Sequence, residues 1–257
     1  MVNSKPLLLL SNDDGYQAKG INVLIEALHD EYDLIVVAPD GPRSGASCAI
    51  TSAVPVSYGT VRQEEGLSIY KCSGTPVDCV KLALHTIVPR VPDLIIGGIN
   101  HGDNSSVNVH YSGTMGIVIE GCLKGIPSIG FSLCNHAADA DFSFTLPFLK
   151  KIVKSTLENG LPYGTCLNVN FPDSNEIKGI RICRKTDGVW IYEFAHCEHP
   201  RNKGYFWLTG SYKNLEPSAE ETDHWALEHD YVAITPTQID MTAYGLMEKM
   251  KSWDWSL

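Results

Sequence analysis

Residues 7–41 read LLLLSNDDGYQAKGINVLIEALHDEYDLIVVAPDG, and this stretch decides the fold. It opens with a short apolar run, residues 7–10, that ends in polar residues and glycine. Apolar residues then recur at spacings of three and four between Ile21 and Leu28, which predicts an amphipathic helix. A second apolar run, residues 34–38, ends in a turn-rich Pro-Asp-Gly-Pro segment. The stretch therefore predicts a strand, a helix and a strand, which form a βαβ unit.

The same alternation continues along the chain. Strands are predicted over 93–97, 126–133 and 166–171, and helices over 78–87, 113–123 and about 142–157. Strands that alternate with helices indicate an α/β fold with a mainly parallel sheet covered on both faces.

After about Pro172 the pattern changes. Residues 180–184, 189–194 and 205–209 are typical of short hairpin strands. We predict a core of residues 1–172 followed by a less regular, β-rich C-terminal appendage, residues 173–257. Residues 232–235 are a candidate segment for a return to the core.

Composition excludes several classes of protein. The chain has 257 residues, a net charge of -10 and a pI of about 5.3, so a protein that coats nucleic acid is excluded. The first apolar run is too short for a signal peptide or a membrane span. Eight scattered cysteines without a CxxC pair predict reduced thiols, not a zinc site. We expect a cytoplasmic protein with no membrane and no nucleic-acid polymer as partner.

Polar loops follow the predicted strands, where ligands bind in open parallel sheets. The first loop carries adjacent carboxylates, Asp13 and Asp14, which repel each other unless a cation or hydrogen-bond donors separate them. Such oxygen ligands suit magnesium, manganese or calcium. The alternative is a turn that caps the next helix, and position alone leaves both open.

The second loop, residues 38–45, brings together the Arg43 guanidinium, the Ser44 hydroxyl and the N-H group of Gly45. These groups suit a phosphate, and Ser44 is also a candidate metal ligand. On its own, the loop is more typical of a Pro/Gly turn with a solvated arginine.

The third loop, residues 97–104, offers the Asn100 amide, and a predicted helix N-terminus with Ser112, Gly113 and Thr114 follows. Free N-H groups and the helix dipole favour an anion there. Helix capping by Ser112 or Thr114 is the alternative, and it uses the same geometry.

Other polar residues are weaker candidates. Histidine is a common acid or base catalyst, but His101 and His110 are not favoured in that role here. Glu120 is expected to have a structural role in its predicted helix. The alternative is that its carboxylate supports the residues of the metal site. Walker, GxGxxG and GxSxG motifs are absent, which argues against those nucleotide-binding modes and against a serine hydrolase.

Taken together, the loops resemble the SurE family of stationary-phase survival nucleotidases. The resemblance rests on residues 11–15, 37–45, 73–80, 92–94, 98–104 and 111–114, and it continues at 222–242. It is weakest over about 137–218. Gly97 stands where the family commonly has serine, and residues 115–119 replace a run richer in valine and alanine.

The resemblance implies a Rossmann-like core and one divalent ion, Mg²⁺ or Mn²⁺, per subunit, with Asp13, Asp14, Ser44 and Asn100 as ligands. It implies homodimers or homotetramers that exchange C-terminal segments. It also implies hydrolysis of nucleoside 5′- and 3′-monophosphates, sometimes with action on short polyphosphate.

The hypothesis that follows is attack on phosphorus by a metal-activated water, with Asp13, Asp14 and Asn100 as catalytic residues. Ser44, Gly45, Ser112, Gly113 and Thr114 are the expected phosphate-binding residues. The alternatives are a non-catalytic nucleotide or phosphate sensor that uses the same loops, and a general or polyphosphate-directed phosphatase. Aromatic residues 205–207 are candidates for a base pocket, although core or interface packing is the favoured role for them.

Overall fold

The computed structural model describes residues 5–256, so the first four residues of the N-terminal segment and the last residue of the C-terminal tail lie outside it. The strands are β1 Leu7–Ser11, β2 Asp33–Pro39, β3 Tyr58–Glu64, β4 Leu67–Cys72, β5 Leu94–His101, β6 Ser128–Leu133, β7 Thr165–Phe171, β8 Gly179–Ile182, β9 Gly188–Ile191, β10 Phe194–Cys197, β11 Tyr205–Leu208, β12 Ser211–Asn214 and β13 Tyr231–Gln238. The helices are α1 Lys19–Leu28, α2 Pro76–Leu82, α3 Gly113–Leu123, α4 Leu146–Asn159, α5 Asp223–Glu228 and α6 Tyr244–Met250.

Nine strands form one mainly parallel sheet in the order β3-β4-β2-β1-β5-β6-β7-β13-β8. Within this sheet, among residues 5–256, only β3 with β4 and β7 with β13 pair in antiparallel fashion. From β1 the chain proceeds to β2 on one side and later returns to place β5 on the other side. The order therefore reverses between β1 and β5, the point at which open α/β sheets bind ligands. This confirms the predicted Rossmann-like fold.

The two faces of β1 are buried against different layers. Leu8 and Leu10 pack into the core cluster that contains Ile21 and Leu24 of α1. Leu7 and Leu9 pack into a second cluster on the opposite face. Successive side chains of a strand point to opposite faces, so a run of four leucines identifies a central strand covered on both sides. Its carboxyl end is thereby fixed in the middle of the sheet edge.

Several elements differ from the sequence prediction. The edge hairpin of β3 and β4 was not predicted, because most β3 side chains are exposed and give no apolar run. The segment over 180–184 was predicted as a hairpin strand, but β8 pairs in parallel with β13 and forms one edge of the main sheet. The main sheet therefore continues beyond residue 172, while the pairs β10-β11 and β9-β12 form two small antiparallel sheets.

The end of β5 also differs from the prediction. Asn100 was expected in a loop beyond the strand, but β5 runs through His101. The Gly98–Ile99 peptide bond is cis, and the register with β6 shifts between Gly97 and Asn100. Asn100 therefore lies within the last residues of an irregular strand, still at the carboxyl edge of the sheet.

Candidate active site

The acidic loop after β1 closes on itself through Asn12. The Asn12 side chain donates to the Gly15 carbonyl over 2.9 Å and accepts from the Gly15 N-H group over 3.2 Å. Helix α1 begins at Lys19 with Ala18 at its N-cap and no side-chain cap. The alternative that Asp13 or Asp14 caps this helix is therefore wrong. Both carboxylates are left for another role.

Asp13 lies against the N-terminus of α3. Its side chain is 4% exposed, and its Oδ1 accepts a hydrogen bond of 2.6 Å from the Thr114 hydroxyl. A Cβ atom added to Gly113 would stand 2.7 Å from the Asp13 Cβ and 2.9 Å from its Oδ2. Glycine is therefore needed where the helix meets the carboxylate, and the positive end of the helix dipole faces its charge.

Burial sets the protonation of Asp13. Desolvation raises the pKa of this carboxyl to about 6, while the Thr114 hydrogen bond opposes that rise and the Asp14 charge adds to it. Asp14 is partly buried, and desolvation raises the pKa of its carboxyl. A hydrogen bond from the backbone N-H group of His101 lowers that pKa and so opposes part of the rise. That N-H group lies 3.4 Å from the Asp14 Oδ2.

The loop after β2 is tied directly to the acidic loop. The Arg43 N-H group donates to the Asp13 carbonyl over 2.7 Å, which places the exposed Ser44 one residue beyond this contact. Gly45 has a φ of +73°, and the position of its missing side chain is open. The Arg43 guanidinium, in contrast, pairs with Asp40 over 3.0 Å.

At the end of β5, the Asn100 side-chain nitrogen donates to the Gly102 carbonyl over 2.8 Å. Because the side-chain nitrogen makes this bond, the side-chain oxygen of Asn100 remains available as an acceptor or a ligand. Because β5 is the neighbour of β1, Asn100 and the acidic loop occupy the same edge of the sheet.

The predicted capping is confirmed for one of the two candidates at α3. Ser112 is the N-cap, and its hydroxyl accepts from the Met115 N-H group over 3.0 Å. The Thr114 hydroxyl is bonded to Asp13 instead. Both side chains are buried, so a phosphate at this helix would meet backbone N-H groups before it met their hydroxyls.

The histidines near the site hold loops in place. One ring nitrogen of His101 lies 2.9 Å from the Ala137 carbonyl, and its ring packs edge-on against Phe142. The His110 side chain is exposed. Sequence reasoning missed His136, whose charge acts on Asp14 and whose ring fills the space beside Gly102. No local sequence signal marked it, since its loop reaches the site only through the fold.

The donor set fits a hard divalent cation. Within residues 5–256, neither Asp13 nor Asp14 forms a salt bridge with a Lys or Arg side chain, and no Lys or Arg charge shifts the pKa of either carboxyl. The same residues contain no group of three or more His, Cys, Asp or Glu side chains arranged to hold a metal. A site here would combine two carboxylates with a hydroxyl and an amide, and oxygen ligands of this kind suit Mg²⁺ or Mn²⁺.

Comparisons with known proteins agree on one family. The family described as Survival protein SurE matches residues 8–191. A protein of Phocaeicola vulgatus named 5′-nucleotidase SurE is 67% identical over 99% of each chain, and its namesake in Bacteroides thetaiotaomicron is 56% identical over 98% of each chain. The crystal structure of the SurE protein from Aquifex aeolicus superposes with a TM-score of 0.83 at 36% identity, covering 96% of this chain and 98% of that one.

Proposed function

This chain belongs to the SurE family, and we propose that it hydrolyses nucleoside monophosphates at the sheet edge that carries Asp13 and Asp14. The protein is a 5′-nucleotidase, a phosphomonoesterase that releases phosphate and a nucleoside. The observation that carries the proposed location is the buried Asp13 carboxylate. It is held by Thr114 and the N-terminus of α3 at the sheet edge where the strand order reverses.

Asp13, Asp14, Ser44 and Asn100 are the proposed ligands of one divalent ion per subunit, Mg²⁺ or Mn²⁺. The bound ion would polarise a phosphate oxygen and lower the pKa of a water molecule. The protein's part is to fix the ligands: Thr114 and the helix N-terminus hold Asp13, and the Asn12 bonds hold the loop.

The chain also orients the phosphate and accepts a proton in this proposal. The open backbone at Gly45 and the N-terminus of α3, Ser112 to Thr114, flank the carboxylates and would hold the phosphate oxygens. Asp14 is the more accessible of the two carboxylates, and burial raises its pKa. It is therefore the group proposed to take the proton of the attacking water.

The test is a phosphate-release assay with AMP, GMP, 3′-AMP and tripolyphosphate, with and without EDTA, Mg²⁺ and Mn²⁺. We expect 5′-nucleotides to be hydrolysed, 3′-nucleotides and tripolyphosphate to be accepted more slowly, and EDTA to stop the reaction. Asp13→Asn should lower kcat/KM by about 10³-fold, since loss of metal-bound charge costs several kcal/mol. Unchanged turnover in this variant would place the chemistry elsewhere. The comparisons give no support to the sensor alternative, which would bind nucleotide without turnover.

Homodimers or homotetramers that exchange C-terminal segments remain part of the proposal. Their support is the exposure of large apolar side chains late in the chain, including Trp207 at 69%, Met241 at 87% and Trp255 at 62%. Light scattering coupled to size exclusion measures the assembly, and deletion of residues 244–257 should reduce it.

Location in the cytoplasm is likewise proposed, and its support is the chemistry of the eight cysteines, all of which are free thiols. Among the residues the structure describes, no helix has the length and apolar character needed to cross a lipid bilayer.

A further inference from the structure

The loop after β6, residues 134–137, lies beside the end of β5 at the carboxyl edge of the sheet. It carries none of the proposed metal ligands or phosphate-binding groups. β6 pairs with β5 in parallel, with Asn100 opposite Ser132 and His101 opposite Leu133. Because parallel neighbours end at the same edge, this loop is the next one along the sheet from Asn100.

Polar contacts and packing hold this loop against the end of β5. The Gly102 N-H group donates to the Leu133 carbonyl over 2.8 Å, and one ring nitrogen of His101 lies 2.9 Å from the Ala137 carbonyl. The packing contact comes from His136, whose ring lies on Gly102. A Cβ atom added to this glycine would collide with the ring Cε1 and stand 2.5 Å from Nδ1. The ring therefore fills the space on that side of the glycine.

Gly102 in turn orients Asn100. Its carbonyl accepts the Asn100 side-chain N-H group over 2.8 Å, and this bond leaves the side-chain oxygen of Asn100 available to a cation. Gly102 has a φ of +102°, and glycine restricts its own backbone less than any other residue. Its orientation must therefore be fixed by its neighbours. The bond to Leu133 fixes its N-H group, and the His136 ring blocks movement on the side where it packs.

The same strand end also contacts Asp14. The His101 N-H group lies 3.4 Å from the Asp14 Oδ2. Burial raises the pKa of the Asp14 carboxyl, and the hydrogen bond and charge of His101 and the charge of His136 oppose that rise. The end of β5 on which His136 packs therefore carries one proposed ligand and contacts a second one. A shift of this strand end would displace Asn100 relative to Asp14.

We propose that His136 is a positioning residue for the metal site: its ring holds Gly102, whose carbonyl orients Asn100 towards the cation that Asp14 also binds. This inference rests on the proposed function, because it takes the proposed ligands as given. It goes beyond that function by assigning a part in metal binding to a side chain that is not a ligand. The role is one of packing and not of charge, since an imidazolium beside Asp14 would repel a cation.

Packing and charge predict opposite effects on metal affinity, and His136→Ala removes both. Loss of the packing should raise the dissociation constant for Mn²⁺ about tenfold or more, as is typical when a group that orients a ligand is removed. Loss of a dominant positive charge would instead make Mn²⁺ bind more tightly. His136→Phe keeps an aromatic ring without the charge, so it should restore most of the wild-type affinity.

Binding is measured without turnover, from the electron paramagnetic resonance signal of free Mn²⁺ during titration of the full chain in the absence of nucleotide. His85→Ala, which removes another exposed histidine beyond the end of α2, is the matched control and should keep the wild-type affinity. Thermal unfolding in EDTA tests the fold. The His136 side chain is exposed, so the metal-free wild type and His136→Ala should unfold at nearly the same temperature.

A merely structural role would give a different result, namely a lower unfolding temperature in EDTA with unchanged affinity of the folded protein. Activity gives a second readout. The Mg²⁺ concentration for half-maximal hydrolysis of AMP should rise in His136→Ala by about the same factor as the Mn²⁺ dissociation constant. Saturating Mg²⁺ should recover most of kcat, because the ring does not contact the reacting atoms in this proposal.

An Mn²⁺ affinity in His136→Ala that equals or exceeds that of wild type overturns the inference, and so does a failure of His136→Phe to restore the affinity. The proposed function fails on other grounds. A wild-type protein that binds no Mn²⁺ and hydrolyses no nucleotide refutes both the function and the positioning role. Metal-dependent turnover in wild type, with unchanged affinity in His136→Ala, refutes only the positioning role.

Discussion

The Thr114 hydroxyl donates a hydrogen bond of 2.6 Å to the Oδ1 of Asp13, and 101 positions of sequence separate the two residues. One partner follows the first strand and the other opens a helix beyond the fifth. The bond exists because β1 and β5 are neighbours and α3 packs against β5. It makes Thr114 a positioning residue for the proposed metal ligand.

Loss of this bond should weaken the metal site. In Thr114→Val, the Mg²⁺ concentration for half-maximal activity should rise about 10–100-fold, as is typical when a group that orients a ligand is removed. The acid limb of the kcat/KM profile should also move to higher pH, because the Thr114 bond lowers the pKa of Asp13. Thr114→Ser keeps the hydroxyl and should restore both values. A valine variant with an unaltered metal requirement would show that Thr114 does not act through Asp13.

The buried charge of Asp13 should cost stability in metal-free protein. Its folded-state pKa of about 6 lies above the ordinary 3.8, so between these values the folded state binds more protons than the unfolded state. The free energy of unfolding therefore falls as pH rises through this window. In EDTA, Asp13→Asn should be more stable than wild type by about 1–3 kcal/mol at pH 7.5, and this gain should largely vanish at pH 4.

Saturating Mg²⁺ should reverse that order at pH 7.5, because only the wild type gains from the bound ion. Thermal unfolding with and without the ion measures both effects. A wild-type protein that is as stable as the variant in EDTA at pH 7.5 would contradict the desolvation argument.

Gly113 should accept no larger residue without loss of activity. In Gly113→Ala the new methyl group would collide with the Asp13 side chain at 2.7–2.9 Å and displace the carboxylate. A shift of this kind should lower kcat/KM about 10²-fold. Gly245→Ala in α6, where nothing lies within 4 Å, is the matched control and should keep full activity. Equal activity of the two variants would mean that the Asp13 position is not critical.

Glu120 of α3 lies outside the proposed active site and is predicted to contribute to stability and not to catalysis. Its carboxylate is buried on α3 and pairs with Lys81 of α2 over 2.8 Å, with Lys124 at 3.6 Å. The pair joins two helices, so Glu120→Gln should lower the free energy of unfolding by about 1–2 kcal/mol. Because no contact links Glu120 to Asp13, kcat and KM for the nucleotide should stay within twofold. A large fall in kcat with normal stability would favour the alternative in which Glu120 supports catalysis.

Much of the core could be predicted because its signals are local. The helix predicted over 113–123 is α3 itself, and the strands at residues 7, 34 and 166 match within one or two residues. Each follows from apolar periodicity in a short window. The edge strand β3 escaped prediction because it is mostly exposed, and β8 was misassigned because four residues do not specify a partner strand.

The sequence by itself determined the mainly parallel sheet and the polar loops at its carboxyl edge, because these depend on periodicity and on the order of residues along each strand. The candidate ligand set Asp13, Asp14, Ser44 and Asn100 came from the resemblance of those loops to a known family, and it stays a prediction. Only the tertiary structure decided that Asp13 lies against the N-terminus of α3 and does not cap α1. It also decided that Thr114 bonds this carboxylate. The physical reason is that strand order and helix packing bring together residues about 100 positions apart, and no local pattern encodes those contacts.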